Sequence, residues 1–242
     1  MNKILPYNLA SSEYLEQNVS MFDKQQPIQK DKLHDQVYDR LCLMLRQGEF
    51  IPGETVPVAR IADAFGISPM PVREALTRLL AKGVLTNVSG RSVGVPKPNE
   101  DNLADIRNVR LQVEGLAVEW SIKNNDEKLI KDLQILFDGM ESAEKKNDNR
   151  SFIKLNYKFH FRLYEQSQSP ELLQIIDNLW LKVSPILYHM ERDDRHKLSN
   201  DNHRAIIEAV SNSDVESAKS ALVEDIIRSY DCLLYTSPSP RD

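Results

Sequence analysis

The chain has only two cysteines, Cys42 and Cys232, and they lie far apart. Neither has a neighbour at metal-clamp spacing, and two thiols cannot form a disulfide framework, so a reducing, cytoplasmic setting is expected. Long apolar runs are also missing. No 18-residue stretch is apolar throughout, so no membrane-spanning helix is predicted and no membrane partner is expected. The opening MNKILPYNLASSEYLEQ has one early lysine and then turns polar and acidic, unlike a secretory leader. Glycine is scarce, with eight residues in 242. Strong positive charge is absent too: the net charge is −5, which excludes a chain that coats nucleic acid by bulk attraction.

What is present points to a soluble, helix-rich protein. Apolar residues make up 41% and charged residues 28%. The length suits two modest domains. Charge divides between them. Residues 31–98 hold nine Lys/Arg against seven Asp/Glu, whereas residues 99–242 hold 19 against 26. A nucleic-acid grip in the first segment must therefore come from individually placed arginines.

Residues 1–30 show no sustained period and are read as a flexible arm. From Lys32 to Gln47, Leu33, Val37, Leu41 and Leu45 recur every four positions, one face of a helix that Gly48 ends. A turn at Ile51-Pro52-Gly53-Glu54 leads to a short helix over 58–65, stopped by Gly66. Ser68 is a candidate N-cap for the next helix, with Pro69 at its first position, and that helix runs to Gly83. Two short strands, 84–86 and 92–95, flank Ser89-Gly90-Arg91. Pro96 and Pro98 mark a boundary, so 31–98 forms one domain. Only helical periodicity follows, with helices predicted over about 101–123, 126–147, 150–167, 170–190, 200–211 and 214–231. Ser213 to Glu216 reads as a capping box. The second domain, 99–232, is thus an all-α antiparallel bundle. Residues 233–242 lose the pattern and read as a disordered or non-native tail. The fold class is mainly α: an N-terminal winged helix-turn-helix followed by a helical bundle.

A short helix, a glycine turn and a second amphipathic helix carrying an arginine suit entry into the major groove, where base edges present a distinct hydrogen-bonding code. Periodicity alone fits a small helical domain with a hairpin equally well. The motif IADAFGISPMPVREALTRL over 61–79 discriminates, together with Gly83-Val84-Leu85 and Gly90-Arg91-Ser92-Val93. It resembles the signature of the GntR family of transcription regulators over about seventy residues. The resemblance implies that Arg73 clamps a phosphate or base, that Ser68 and Met70 face the DNA, and that Gly90 and Arg91 form the wing tip. Arg78 and Arg60 join the candidate DNA-binding set, although a solvated helix face explains Arg60 equally. Many members carry an arginine where this chain has Pro69, and some place a DNA-contacting arginine at the position of Ala59. The operator read here is therefore expected to differ, or Arg91 and Arg60 to carry more of the contact.

The second domain resembles the FCD ligand-binding domain of the family's FadR/VanR branch. The carriers are Val109 to Ala117 with Arg110 and Glu114, Asn156 to His160, and His203 to Val210 followed by Asp214. The resemblance implies a divalent-metal site formed by Asn156, His160, His203 and Asp225. The family usually has Asp at position 156 and His at position 225. Residues four apart share a helical face, so Asn156 and His160 can aim at one point. His203 and Asp225 can meet across a helical hairpin. Such a mixed N/O set suits Zn, Ni or Mn. A lone histidine on an apolar face is more often a core residue, and His189 and His196 read as surface or loop residues. Arg110 is a candidate anchor for a carboxylate effector; an ion pair with Glu114 is the alternative, and the two are compatible.

The function expected is a dimeric transcription regulator, a repressor, not an enzyme. It would bind a palindromic double-stranded DNA operator under control of a small organic acid. Two other readings of the bundle stay open: a metal-dependent enzyme using His160, His203 and Asp225, and a dimerisation module without a ligand.

Overall fold

In the computed structural model the described residues are 32–90, 92–190 and 196–236, with side chains left undescribed at Lys32, 187–190, 196–199 and 231–236. The arm at 1–30, Arg91 at the wing tip and residues 237–242 lie outside them. Helix α1 spans Lys32–Arg46, α2 Val58–Phe65 and α3 Pro69–Ala81. Val37, Leu41 and Leu45 of the predicted face are buried, whereas Leu33 is exposed. Gly66 closes α2 at φ +66°, a left-handed conformation that glycine adopts without penalty. Ser68 stands at the N-cap of α3, but its hydroxyl caps nothing. Pro71 explains this: it occupies the third helical position, whose N–H a cap would normally bind. The Ser68 hydroxyl is thus left at the surface.

Strands β1 (Thr86–Ser89) and β2 (Ser92–Gly94) pair antiparallel, with Thr86 opposite Gly94 and Gly90 at φ +52° in the turn. The strand predicted at 84–86 starts later. Val84 and Leu85 are both buried, and their N–H groups bond back to the Leu79 carbonyl. Consecutive buried residues cannot alternate across a pleat. Gly94 also bridges to Thr55, where a Cβ would sit 2.1 Å from the Glu54 carbonyl oxygen. Backbone cannot yield as a side-chain tip can. Gly94→Ala is expected to cost at least about 2 kcal/mol, read as a lower urea midpoint with an unchanged m-value.

The remaining helices are α4 (Glu100–Lys123), α5 (Glu127–Lys145), α6 (Asn149–Glu165), α7 (Pro170–Met190), α8 (His196–Ser211) and α9 (Val215–Thr236). Asn99, Asp126 and Asp148 cap α4, α5 and α6 by accepting from the N–H three residues on. Three expectations shift here. The cap of α9 is Asp214, which accepts from Ser217 N–H, while Ser213 takes a left-handed φ of +55°. Helix α9 runs to Thr236, four residues into the stretch expected to be a tail, because Leu233, Leu234 and Tyr235 continue its apolar content. His196 opens α8 rather than lying in a loop.

In the bundle, α4 packs on α9, α7 and α6, and α5 on α6 and α8. Its core includes Phe137, Phe159, Leu163, Ile176, Ile206 and Leu222. A second core fills the head and includes Leu41, Leu45, Val72, Leu76 and Leu79, together with Leu181 of α7. The described residues from Leu33 onward form one compact unit.

Candidate functional site

Four helices direct polar side chains into the bundle interior. On α6, Asn156, His160 and Tyr164 recur every four residues along one face. Helix α8 supplies His203, α9 supplies Asp225, and α4 supplies Arg110 and Glu114. His160, His203 and Asp225 are all buried, and one ligating atom from each lies within 4.8 Å of the others. His160 Nε2 is 3.2 Å from His203 Nε2 and 3.2 Å from Asp225 Oδ2; His203 Nε2 is 3.9 Å from Asp225 Oδ1. Ligand atoms around a tetrahedral ion with bonds near 2.1 Å stand about 3.4 Å apart, so the spacing matches a metal's coordination edge.

The hydrogen bonds around His160 select its tautomer. Arg110 forks Glu114 through Nε to Oε1 at 2.5 Å and through its terminal nitrogen to Oε2 at 3.3 Å. The Tyr164 hydroxyl donates to Glu114 Oε2 at 2.5 Å. Its oxygen lies 3.2 Å from His160 Nδ1 and, having spent its proton, accepts from that nitrogen. A neutral His160 then carries its lone pair on Nε2, facing Asp225 Oδ2. That lone pair lies 3.2 Å from both His203 Nε2 and Asp225 Oδ2, so either an N–H of His203 or a cation held among the three groups satisfies it. A hydrogen-bonded partner on the far ring nitrogen is also what orients metal-ligating histidines. One turn before His160, Asn156 Oδ1 is buried without a hydrogen-bond partner. The donor set therefore fits a divalent ion.

Electrostatics reinforce the frame. Burial works against the Arg110 charge, but the Glu114 carboxylate outweighs it and holds the guanidinium above its ordinary range. Burial, then the Glu114 charge, pushes the Tyr164 hydroxyl well above its usual range, so it remains a donor. The Arg110 guanidinium also lies 4.7 Å over the Trp180 ring, and Trp180 lies 5.4 Å from the His160 ring. Trp180 Nε1 is buried without a hydrogen-bond partner. Burial raises the Tyr230 hydroxyl above its usual range, against the pull of the neighbouring Arg110 guanidinium. Sequence reasoning did not find Tyr164, Trp180 or Tyr230. Tyr164 had a signal, its place one turn beyond His160; Trp180 and Tyr230 look like ordinary core aromatics.

In the head, Ser68, Met70 and Arg73 are exposed at the start of α3, with Met70 61% exposed. Among the described residues Arg73 enters no ion pair. Gly90 is exposed at the wing turn. Arg60 is exposed beside a groove it shares with Glu49 and Glu54. Arg78 is placed differently from Arg73. Its guanidinium bonds Asp35 at 3.0 Å and lies 4.0 Å over the Tyr38 ring, both on α1. Five residues apart on a helix amounts to a rotation of about 140°, so Arg73 and Arg78 do not share a face.

A winged helix-turn-helix head joined to a helical domain with a buried polar cluster defines a class: a DNA-binding transcription regulator with a separate sensor-type domain. Residues 33–95 match the family described as bacterial regulatory proteins, gntR family, and residues 105–228 match the FCD domain. The chain belongs to the GntR family, in its FCD-bearing group, and is a regulator rather than an enzyme. It is 28% identical over 192 residues to the HTH-type transcriptional regulator McbR of Escherichia coli K12, covering 78% of this chain and 87% of the relative. It is 28% identical over 191 residues to a probable D-xylose utilization operon transcriptional repressor of Paenarthrobacter nicotinovorans, covering 79% and 84%. The solved structure of E. coli McbR/YncC superimposes with a TM-score of 0.79 at 26% identity, covering 85% of this chain and 99% of that one. No described helix is long and apolar enough to cross a membrane.

Proposed function

We propose that this regulator senses a small carboxylate through a divalent ion held by His160, His203 and Asp225, with Asn156 Oδ1 as a fourth ligand atom. The observation that carries the reading is the convergence of one buried ligand atom each from His160, His203 and Asp225 to within 4.8 Å of one another, with His160 Nε2 3.2 Å from Asp225 Oδ2. Zinc, nickel or manganese all suit two imidazoles, a carboxylate and an amide. The ion would supply a coordination position for the effector. Charge balance favours an anion there. Arg110 offsets Glu114, Asp225 is offset by half of a dication, and one positive charge remains for the ligand. The unpartnered Trp180 Nε1–H supplies a donor for its oxygens, and the Tyr230 O–H, whose oxygen faces Arg110, a second. Arg110, already forked by Glu114, acts on the effector through field rather than as a free clamp.

In the head, Ser68, Met70, Arg73 and Gly90 are the contacts we assign to a palindromic operator, with Arg60 at the flank. Arg78 is given to the head's own packing. A homodimer would place two heads on the palindrome. Val109, Leu116 and Trp120 form an exposed apolar line on α4, with Ile175 exposed on the adjoining α7, and supply apolar surface for that contact.

The test is titration of zinc, nickel and manganese into chelator-treated protein, followed by small carboxylates, with affinity for the gene's own upstream DNA as readout. One ion per chain is expected, and the acid should move DNA affinity by about 5- to 150-fold. No bound ion and an unmoved affinity would leave a ligand-free dimerisation module. On the DNA side, Arg73→Ala should lose about 1–3 kcal/mol of operator binding if it reads a base. If it holds a phosphate, the salt dependence should fall by about one counterion for all sequences alike. Fluorescence anisotropy across a salt series separates the two, and unchanged binding would remove Arg73 from the interface.

A further inference from the structure

Three neighbouring side chains of α7 face three different places. Asp177 bonds Arg46, the last residue of α1 in the head, at 2.5 Å. Trp180 belongs to the metal-type cluster, against Arg110 and His160. Leu181 is buried in the head core. Tyr157 of α6 closes the circuit. Its ring packs edge-on against Trp180 at 5.7 Å and carries the Arg46 guanidinium at 5.1 Å, while its hydroxyl donates to Asp177 at 3.4 Å. A chain of direct contacts therefore runs from His160 through Trp180, Tyr157 and Asp177 to Arg46. A second head–bundle link, Arg150 with Glu49 at 3.1 Å, has both partners at the surface and no connection to the cluster. Helix α7 also contains Pro185, which cannot donate to the Leu181 carbonyl, so the helix lacks a rung at the point where it enters the head. Ser184 bonds the Trp180 carbonyl beside that gap.

We propose that α7 is the coupling element of this regulator, and that Trp180, Tyr157, Asp177 and Arg46 transmit the state of the buried cluster to α1 of the head. The inference rests on the sensing role of that cluster, but names residues outside it. Trp180 touches both Arg110 and His160, so a ligand that shifts either side chain moves Trp180. Tyr157 is fixed between Trp180 and Arg46, and so moves with it. Asp177 and Tyr157 are positioning residues: they hold Arg46, and through it the C-terminal end of α1. The weakened rung at Leu181 lets that half of α7 adjust without disturbing the Pro170 end.

The test uses the full chain and hydrogen exchange of α1, residues 37–46, in a two-variant cycle. Trp180→Phe perturbs the cluster end and Asp177→Asn cuts the junction. Trp180→Phe is expected to change α1 exchange several-fold in the wild-type background and to leave it unchanged in the Asp177→Asn background. Exchange in α5, which lies outside the route, should stay constant throughout. Should Asp177→Asn unfold the head, Arg46→Met, which removes the charge along with its bond, takes its place. An effect of Trp180→Phe that is equal in both backgrounds, or absent in both, overturns the route. A second arm adds zinc to chelator-treated protein. Wild type should show the same α1 change, and Asp177→Asn should bind zinc with unchanged stoichiometry but without it. Zinc that binds wild type and leaves α1 untouched counts against coupling. Failure of zinc to bind counts against the sensing reading alone, since the variant cycle needs no metal.

Discussion

Glu114→Gln should lower the melting temperature by roughly 10 °C, one of the larger losses available from a near-isosteric change in this bundle. Glu114 is fully buried and accepts from Arg110 twice and from Tyr164 once. Glutamine keeps the volume but removes the charge. Arg110, itself buried, is then left with a guanidinium that no carboxylate balances, and breaking a buried pair in this way costs about 3–5 kcal/mol. Because the amide also offers an N–H where Tyr164 donates, the Tyr164 hydroxyl must turn, and His160 Nδ1 loses its acceptor. The change should therefore weaken zinc binding as well as the fold. Removing both charges together, as Arg110→Met with Glu114→Leu, leaves no orphan and should recover most of the stability. Calorimetry on the two proteins decides the matter. A double variant as unstable as the single one would mean that the loss came from packing, not from an uncompensated charge.

Much of the fold was legible because its signals are local. A four-residue apolar repeat, a glycine stop and a proline-rich start define α1 to α3 with no reference to the rest of the chain. The errors fall where tertiary contacts override local pattern. Val84 and Leu85 have strand-forming side chains, but the head core claims both. Ser213 looks like a cap, yet Asp214 reaches Ser217 N–H better from the position after a left-handed residue. The site was legible in part for the same reason. His160 and Asn156 share a helical face, and that spacing survives folding. His203 and Asp225 required the turn between two helices, which the hairpin supplied. The Glu114–Tyr164–His160 relay and the Trp180–Tyr157–Asp177 contacts join residues from separate helices, up to 50 positions apart, and no periodicity announces them. Arg78 shows the converse limit. It lies within a well-matched motif, but its partner is Asp35, set by how α1 packs on α3.

Zinc at a thousandfold excess over its dissociation constant should raise the melting temperature by about 10 °C, since binding only the folded state stabilises it by about 4 kcal/mol. His203→Ala should abolish that rise, as the ion would lose one of its two imidazoles. The sharper variant is Asn156→Asp, because it moves the two states in opposite directions. Without metal it adds a second carboxylate near Asp225, and like charges in a buried site repel, so the melting temperature should fall. With zinc present, a charged oxygen replaces a weak neutral one. Affinity should rise at least tenfold, and the gap between metal-free and metal-loaded melting temperatures should widen beyond that of the wild type. The sign of the metal-free change is diagnostic. A carboxylate placed away from the cluster would meet no repulsion and leave both melting temperatures where they were. In that outcome Asn156 Oδ1 would not face the ion, and the fourth ligand would have to come from water or from the effector itself.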